Sequence, residues 1–568
     1  MTFESAAGKL RAHIDALAGI DRLRRLRADG ASEPDMLGEI LGAAAKFSAE
    51  VLQPFDRQAD RAGCRLENGR VLTANGHAET WQAFSELGWN GIESSQDYGG
   101  MGLPLVVHCA CEELFNRGSL AFGMLATSSR CSVKLLQQYA PAAIRDEWLP
   151  RLVSGTWGAT ICISEPGAGS DVGRVRTMAS PQPDGSWRIE GEKCWISYGD
   201  HDLTDRIGHV LLARTPGSRP GTAGLSLFLV PSTIAGNRNA ITVRRLEEKL
   251  GLHASPTCAL GFEGATGYLI GEPHRGLAQL FAMIGRMRIS VGSQGAAIAA
   301  ACTDLATAYA AERRQGGPPD MPPPPIDRHP DVRRMLLEMA ARTEVTRGLV
   351  LATAIAADLA EQETADADKA RWTALLGWLL PVTKTFGAET AFEVSSAAIQ
   401  VLGGAGYTRE WPAEQHLRDA RILSIYEGTS GMQALDLVER RLVGDRRKGL
   451  DAFFAIAAAD SRNAGGTEAA AALDTMLGLL ADASSQVESM EREDAGAIAY
   501  HYLQLAGLAA TAWIALRLAD LAGNRVNDHL AACGRHWLRL APARARREAA
   551  VIASGDGLLA EWQALDRG

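Results

Sequence analysis

ICISEPGAGSDVGRVRT, residues 161–177, is where the chain changes character. An apolar segment through Ile161 and Ile163 meets Pro166, and then Gly167, Gly169 and Gly173 with Ser164 and Ser170 among them. This is a strand that ends in a Gly/Ser loop, not a strand that feeds a helix. The glycine spacing misses the Gly-x-Gly-x-x-Gly pattern, which argues against a Rossmann dinucleotide site. Bare amides and small hydroxyls suit the close approach of a planar or phosphorylated ligand. A tight strand-to-strand loop accounts for the same composition equally well.

Outward from this loop the pattern sorts the chain into blocks. From Trp157 to about 272, apolar runs are short and broken by turn residues such as Pro183-Asp184-Gly185 and Pro220-Gly221. These predict antiparallel strands in a small barrel or sandwich. Upstream, EILGAAAKFSAEVL and ETWQAFSELGW carry apolar residues at helical spacing, with QDYGGMGLP (96–104) as a loop. Helical periodicity returns at about 276, is broken by GGPPDMPPPP (316–325), and resumes to about 450. SRNAGGTEA (461–469) reads as a linker before a last helical block. The expected fold is multidomain α+β: an N-terminal helical domain (1–155), a middle antiparallel β domain (156–275), a helical bundle (276–450) and an extra C-terminal helical domain (451–568).

Composition narrows the function. The chain has 568 residues, 46% hydrophobic and 22% charged, with a net charge of -9. That balance is ordinary for a globular protein and argues against a polyanion-binding surface over the whole molecule. None of the nine cysteines forms a Cys-x-x-Cys pair, so reduced thiols and a cytoplasmic setting are expected. His108, Cys109 and Cys111 invite a metal reading, but VVHCACEELF reads as a helix, on which positions two apart face different ways. No histidine pattern has metal-ligand spacing, and no metal is expected. There is no Walker A loop, and GTSG (428–431) falls one residue short of a nucleophile elbow. The charged N-terminal stretch does not resemble a leader, and no run of about 20 apolar residues predicts a membrane span.

Three further stretches bear on chemistry. In KCWISYGDHDL (193–203), Trp195 and Ser197 fall on one face of a strand, where an indole and a hydroxyl could meet an aromatic ligand; a core tryptophan is the plainer reading. AIQVLGGAGYTREWPAEQHLRDARI (398–422) ends a helix at Gly403-Gly404, which is most often simply a cap. In LSIYEGTSGMQALDLVERRLV (423–443), Ser430 and Gln433 make a Ser-x-x-Gln capping box, so a helix is expected to start at about Gly431. Glu427 then stands just before a helix N-terminus, with apolar neighbours pushing its pKa up and the helix favouring its charge. Alone, the stretch allows a solvated loop acid, the commoner case, or a base in a dry site.

Taken in order, SEPGAGSDV, CWIS and QVLGGAGY-TREWP-RDARI-SIYEGTSG resemble the acyl-CoA dehydrogenase family over about residues 40–450. ENGRVLTANG, EEKLGLHASPTC and HPDVRRMLL resemble its long bacterial forms with an added C-terminal helical domain. The resemblance implies FAD bound without a Rossmann fold. It implies flavin contacts from Ile161, Ile163, Ser164, Gly169, Trp195, Ile196, Ser197 and Thr429. It also implies contacts to FAD across a subunit interface from Arg313, Gln400, Gly403 and Gly404. Substrate contacts are implied for Ser170, Arg288, Tyr426 and Gly428, and the role of catalytic base for Glu427. Two departures stand out: Gln315-Gly316 replace a common Thr-Phe after the arginine, and Met287 stands where some relatives carry the base.

The implied reaction is dehydrogenation of an acyl-CoA to a trans-2-enoyl-CoA, with an electron-transfer flavoprotein as acceptor and a homodimer as the assembly. Short or medium acyl chains are expected, sulfur-containing ones among them. Two alternatives use the same fold: an acyl-CoA oxidase, and an alkylation-response flavoprotein that binds DNA through a basic C-terminal stretch. RHWLRLAPARARRE (535–548) is such a stretch, although a basic solvated helix face explains it more simply.

Overall fold

The computed structural model describes residues 3–18 and 36–555, with Leu559, Trp562 and Leu565. The helical expectation for the remaining positions of the first and last segments lies outside the described residues. Packing collects the chain into two compact units: a β unit of Phe47–His108 and Gly118–Met287, and a helical unit of Met1–Lys46, Cys109–Arg117 and Arg288–Gly568.

The β unit is built on a seven-stranded sheet. Thr257–Ile270 is its spine. This strand pairs antiparallel with Trp187–Ser197, Ile241–Leu246 and Leu225–Pro231. Leu225–Pro231 pairs in turn with Arg206–Arg214, and Met178–Pro181 joins Arg206–Arg214 to Trp187–Ser197, so five strands close into a ring. Closure leaves only Ile241–Leu246 and Trp157–Cys162 as edge strands, which favours the barrel over the sandwich. The strands are not all antiparallel as expected. Trp157–Cys162 lies parallel to Arg206–Arg214, and Met178 pairs parallel with Arg214. The chain makes the 163–177 loop and a hairpin before it returns, and such a long connection permits a parallel pairing. All seven residues of Leu225–Pro231 are buried, Phe228 among them. Truncating Phe228 to Ala would cost about 3–5 kcal/mol in such a core. Trp148 meets Trp157 edge to face at 4.6 Å, and the Arg206 guanidinium lies over both rings.

In the helical unit, Pro330–Gln362, Asp366–Leu402, Arg492–Ala519 and Arg525–Ala553 are the long elements, with Gly276–Glu312 contributing from Arg288 onward. Residues 288–450 and 451–555, separate segments in the sequence reading, pack as one unit. Phe386 meets Trp537 edge to face at 6.2 Å, and the Trp537 indole donates to Thr511 Oγ1 at 3.1 Å. Helix Phe3–Ala18 is anchored by Lys9, whose Nζ donates to Glu344 Oε1 at 2.9 Å. Arg347 pairs with both Glu344 and Glu113, all three being buried. A buried ionic network of this kind fixes register, since removing one member strands the others.

Several expectations shift. Residues 461–469 are not an extended linker: helix Lys448–Asn463 runs into them, and the next helix begins at Glu468. The basic run 535–548 lies on Arg525–Ala553, where Arg535 donates to the Ala519 carbonyl and Arg544 sits over Trp537 within reach of Glu338 and Glu393. Among the described residues one helix, Arg492–Ala519, is long and apolar enough to cross a membrane, and 89% of its apolar window is buried within the fold.

Candidate active site

In the helical unit the site begins at the loop before helix Ser430–Leu435. A 3-10 turn, Arg421–Ser424, delivers the chain to Tyr426. Glu427 and Gly428 then adopt positive φ values of 55° and 88°. A left-handed glutamate is strained, and such strain collects where a side chain must be aimed. At φ 88° glycine is favoured, and a Cβ on Gly428 would also lie 2.6 Å from Gln433 Nε2 and displace that side chain from the turn.

Three side chains hold this turn. Gln433 Nε2 donates to the Glu427 carbonyl at 3.0 Å and reaches the Gly428 carbonyl at 3.4 Å. Lys384 Nζ donates to the Gly428 carbonyl at 2.8 Å. Ser430 Oγ donates to Glu389 Oε1 at 2.8 Å. The helix cap differs from the expected one. Thr429, not Ser430, is the N-cap, and its Oγ1 accepts from Met432 N–H at 3.2 Å. With Thr429 as N-cap, Met432 occupies the third helical position and Gln433 the fourth, so no capping box forms. Thr429 keeps its hydroxyl proton free to donate.

Glu427 is partly buried. Burial pushes its pKa up to about 7, against the opposing pull of Lys384 and Arg288. Burial likewise brings Lys384 down to about 8, with Glu427 and Glu389 opposing. Arg288 is nearly buried and pairs through Nη1 with Asp436 Oδ2, so it carries a structural load besides any contact with substrate. The Tyr426 hydroxyl donates to Gln294 Oε1. Among the described residues nothing accepts from the Glu427 backbone N–H. A carboxyl poised near neutrality beside a bare amide can take a proton while the amide steadies a developing oxyanion.

A second cluster in this unit lies at a helix end. Arg313 follows Gly276–Glu312 and is exposed. One turn earlier, Tyr309 meets Trp411 edge to face at 5.1 Å, which brings this end beside the segment after Asp366–Leu402. Gln400, Gly403 and Gly404 are exposed there, and a Cβ on either glycine would meet nothing within 4 Å.

The β unit carries the other expected residues. The 163–170 loop is shaped from within: Glu165 accepts from Arg176 N–H (2.7 Å), Thr177 N–H (3.0 Å), Thr177 Oγ1 (2.6 Å) and Lys193 Nζ (2.9 Å). Burial alone would raise its pKa, but Lys193 and Thr177 outweigh that and leave it lowered. Ile161, Ile163 and Ser164 are half-buried along the loop, and Gly169 and Ser170 are exposed. Trp195 is 61% exposed with φ 63°, where the pairing of Trp187–Ser197 with Thr257–Ile270 slips around Ala259. This bulge turns the indole outward, and Ser197 is half-buried on the same side. Ile196 instead packs into the barrel core and offers a ligand only its backbone.

Sequence reasoning missed Lys384, Asp436, Gln294 and Lys193, and it gave Gln433 a capping role in place of its grip on the turn. A lysine inside the apolar run LLPVTKTF was the available signal for Lys384.

The chain matches the family models described as acyl-CoA dehydrogenase N-terminal domain over residues 37–156, middle domain over 160–265 and C-terminal domain over 274–442. It is 39% identical to 3-methylmercaptopropionyl-CoA dehydrogenase of Ruegeria pomeroyi, covering 78% of this chain and 77% of that one. It is 36% identical to the broad-specificity linear acyl-CoA dehydrogenase FadE5 of Mycobacterium tuberculosis, covering 72% and 70%. In fold it is similar to an acyl-CoA dehydrogenase from Bacillus anthracis crystallised with FAD, at 19% identity and TM-score 0.77, covering 93% and 89%.

Proposed function

The chain belongs to the acyl-CoA dehydrogenase family, whose members are FAD-dependent oxidoreductases, and from that premise we propose that it oxidises an acyl-CoA to its trans-2-enoyl-CoA with Glu427 as the base. The observation that carries this reading is Glu427 itself: a strained, partly buried carboxyl whose pKa is pushed up to about 7, beside an unpaired backbone amide. A carboxyl with an ordinary pKa is too weak a base for a proton α to a thioester carbonyl; one near 7 is matched to neutral pH.

The residues present fit FAD. Trp195 offers an exposed indole, and Gly167, Gly169, Gly403 and Gly404 border open space, where a Cβ would meet no atom within 4 Å. Ile161, Ile163, Ser164, Gly169, Trp195, Ser197 and the Ile196 backbone would hold it from the β unit. Thr429, Arg313, Gln400, Gly403 and Gly404 would do so from helical units, the last four reaching a partner subunit's cofactor in a homodimer. When bound, the flavin supplies the acceptor for the hydride that leaves the substrate β-carbon. Glu427 takes the α-proton, its backbone N–H hydrogen-bonds the thioester oxygen, and Ser170, Arg288, Tyr426 and Gly428 are the proposed substrate contacts.

Likeness to a methylthio-acyl enzyme and a broad-specificity linear one supports short to medium chains, and the family supports an electron-transfer flavoprotein as acceptor. The nine free cysteines support a reducing, cytoplasmic setting. The four segments 1–155, 156–275, 276–450 and 451–568 are proposed as its modules. An anaerobic panel of acyl-CoAs from C2 to C12 (about this range), with 3-methylthiopropionyl-CoA included, tests the reading by flavin bleaching. Fastest bleaching by a short or medium chain is expected; bleaching by none of the panel contradicts it.

A further inference from the structure

We propose that Lys384 is a positioning residue of the reaction: it fixes the Gly428–Thr429 peptide of the catalytic turn and supplies the cation that faces the Glu427 carboxylate. This rests on the reading of Glu427 as the base.

Three lysines are buried among the described residues: Lys9, Lys193 and Lys384. Burying an ammonium costs several kcal/mol unless an opposite charge offsets it. Lys9 and Lys193 meet that need with a carboxylate at 2.9 Å, Glu344 and Glu165 respectively. Lys384 does not. Its only hydrogen-bond acceptor among the described residues is the Gly428 carbonyl at 2.8 Å, and no carboxylate lies within ion-pair distance. A lysine kept in the interior for structure alone would be expected to carry the same close partner as the other two. Its charge is instead balanced at longer range by Glu427 and by Glu389.

Geometry gives the position a purpose. Lys384 and Glu389 stand on one helix, Asp366–Leu402, and both grip the catalytic turn, at Gly428 and at Ser430. Gln433 closes the turn from the following helix. The charged and titratable groups around the base are therefore Lys384 and Glu389 from that helix, Arg288 from Gly276–Glu312, Asp436 beyond the catalytic helix, and Tyr426 beside Glu427. Arg288 is neutralised by Asp436 at contact distance, which leaves Lys384 as the cation without a close counter-charge. It holds the carboxylate in its proton-accepting form, and its grip on the Gly428 carbonyl anchors the turn that presents Glu427.

The test uses the FAD-loaded full chain in two variants, with Glu427→Gln in parallel. Lys384→Met keeps length and removes charge and donor; Lys384→Arg keeps both. Single-turnover flavin reduction in Lys384→Met is expected to fall about tenfold or more at pH 7, with its acid limb displaced to higher pH, while Lys384→Arg recovers most of the rate. Infrared difference spectra of the Glu427 carboxyl, assigned with Glu427→Gln, should show the same upward displacement without turnover. A wild-type rate and wild-type carboxyl titration in Lys384→Met overturn the assignment of Lys384 alone. Should Lys384→Met not fold, an unrestored acid limb in a folded Lys384→Arg overturns it. Wild-type reduction by Glu427→Gln overturns the underlying reading instead.

Discussion

Lys193 and Glu165 form a buried ion pair inside the β unit, with Nζ 2.9 Å from Oε1. Lys193 also donates to the Ile163 and Leu212 carbonyls, at 3.0 and 2.8 Å. One side chain thus ties the loop 163–170 to two strands. The Gly/Ser loop is internally braced, and its outer residues are displayed on a fixed frame.

Lys193→Met should cost about 3–5 kcal/mol, because it strands a buried carboxylate. Urea unfolding measures this, and retained FAD should fall with it. The double variant Lys193→Met/Glu165→Gln should recover part of the loss, since both charges are then gone. Glu165 has a lowered pKa in the fold. Its contribution is present above its unfolded value of about 4.5 and is lost as pH falls through the folded one. Wild type should therefore lose stability more steeply than Glu165→Gln on acidification.

Asp436→Asn leaves the Arg288 guanidinium without its counter-charge close to the base. A cost of about 3–5 kcal/mol is expected in unfolding experiments. The less compensated cation should also hold Glu427 ionised to lower pH, so the acid limb of flavin reduction should move down. This is the opposite direction from Lys384→Met, and the two variants measured together separate charge from general damage to the loop.

Glu427 has a folded pKa pushed up to about 7, above its unfolded value. Its protonated form is therefore favoured by folding. That contribution is fully present below about pH 4.5 and is lost as pH rises through 7. Glu427→Gln should melt a few degrees above wild type at pH 8, with the gap closing towards pH 4 on a thermal scan.

Much of this was legible in the sequence. Turn dipeptides bounded the β block, because a strand cannot continue through Pro-Asp-Gly, and the 316–325 prolines marked the break between two long helices. Glu427 stood out between an apolar segment and a helix start, but that alone left a solvated loop acid as the commoner case; its role as base came from the resemblance carried by the companion motifs. What failed has physical causes. Ser430 and Thr429 are equally good caps by type, and only the backbone decides: Thr429 is non-helical at ψ 160°, so it caps. The bulge that turns Trp195 outward depends on a partner strand some sixty positions away, and the parallel pairing of Trp157–Cys162 depends on a crossover that spacing does not reveal. Lys384 was passed over, despite the apolar run around it, because a charged residue on a helix ordinarily marks its solvated face. Tertiary packing supplies what that run does not, the Gly428 carbonyl of the catalytic turn as its partner.

The central claim is that Glu427 takes the α-proton. Stopped-flow mixing of anaerobic Glu427→Gln, FAD-loaded and folded, with its best acyl-CoA tests it most directly. The account predicts bound substrate and an unbleached flavin, slower than wild type by about a thousandfold or more. Flavin reduction at the wild-type rate would contradict it.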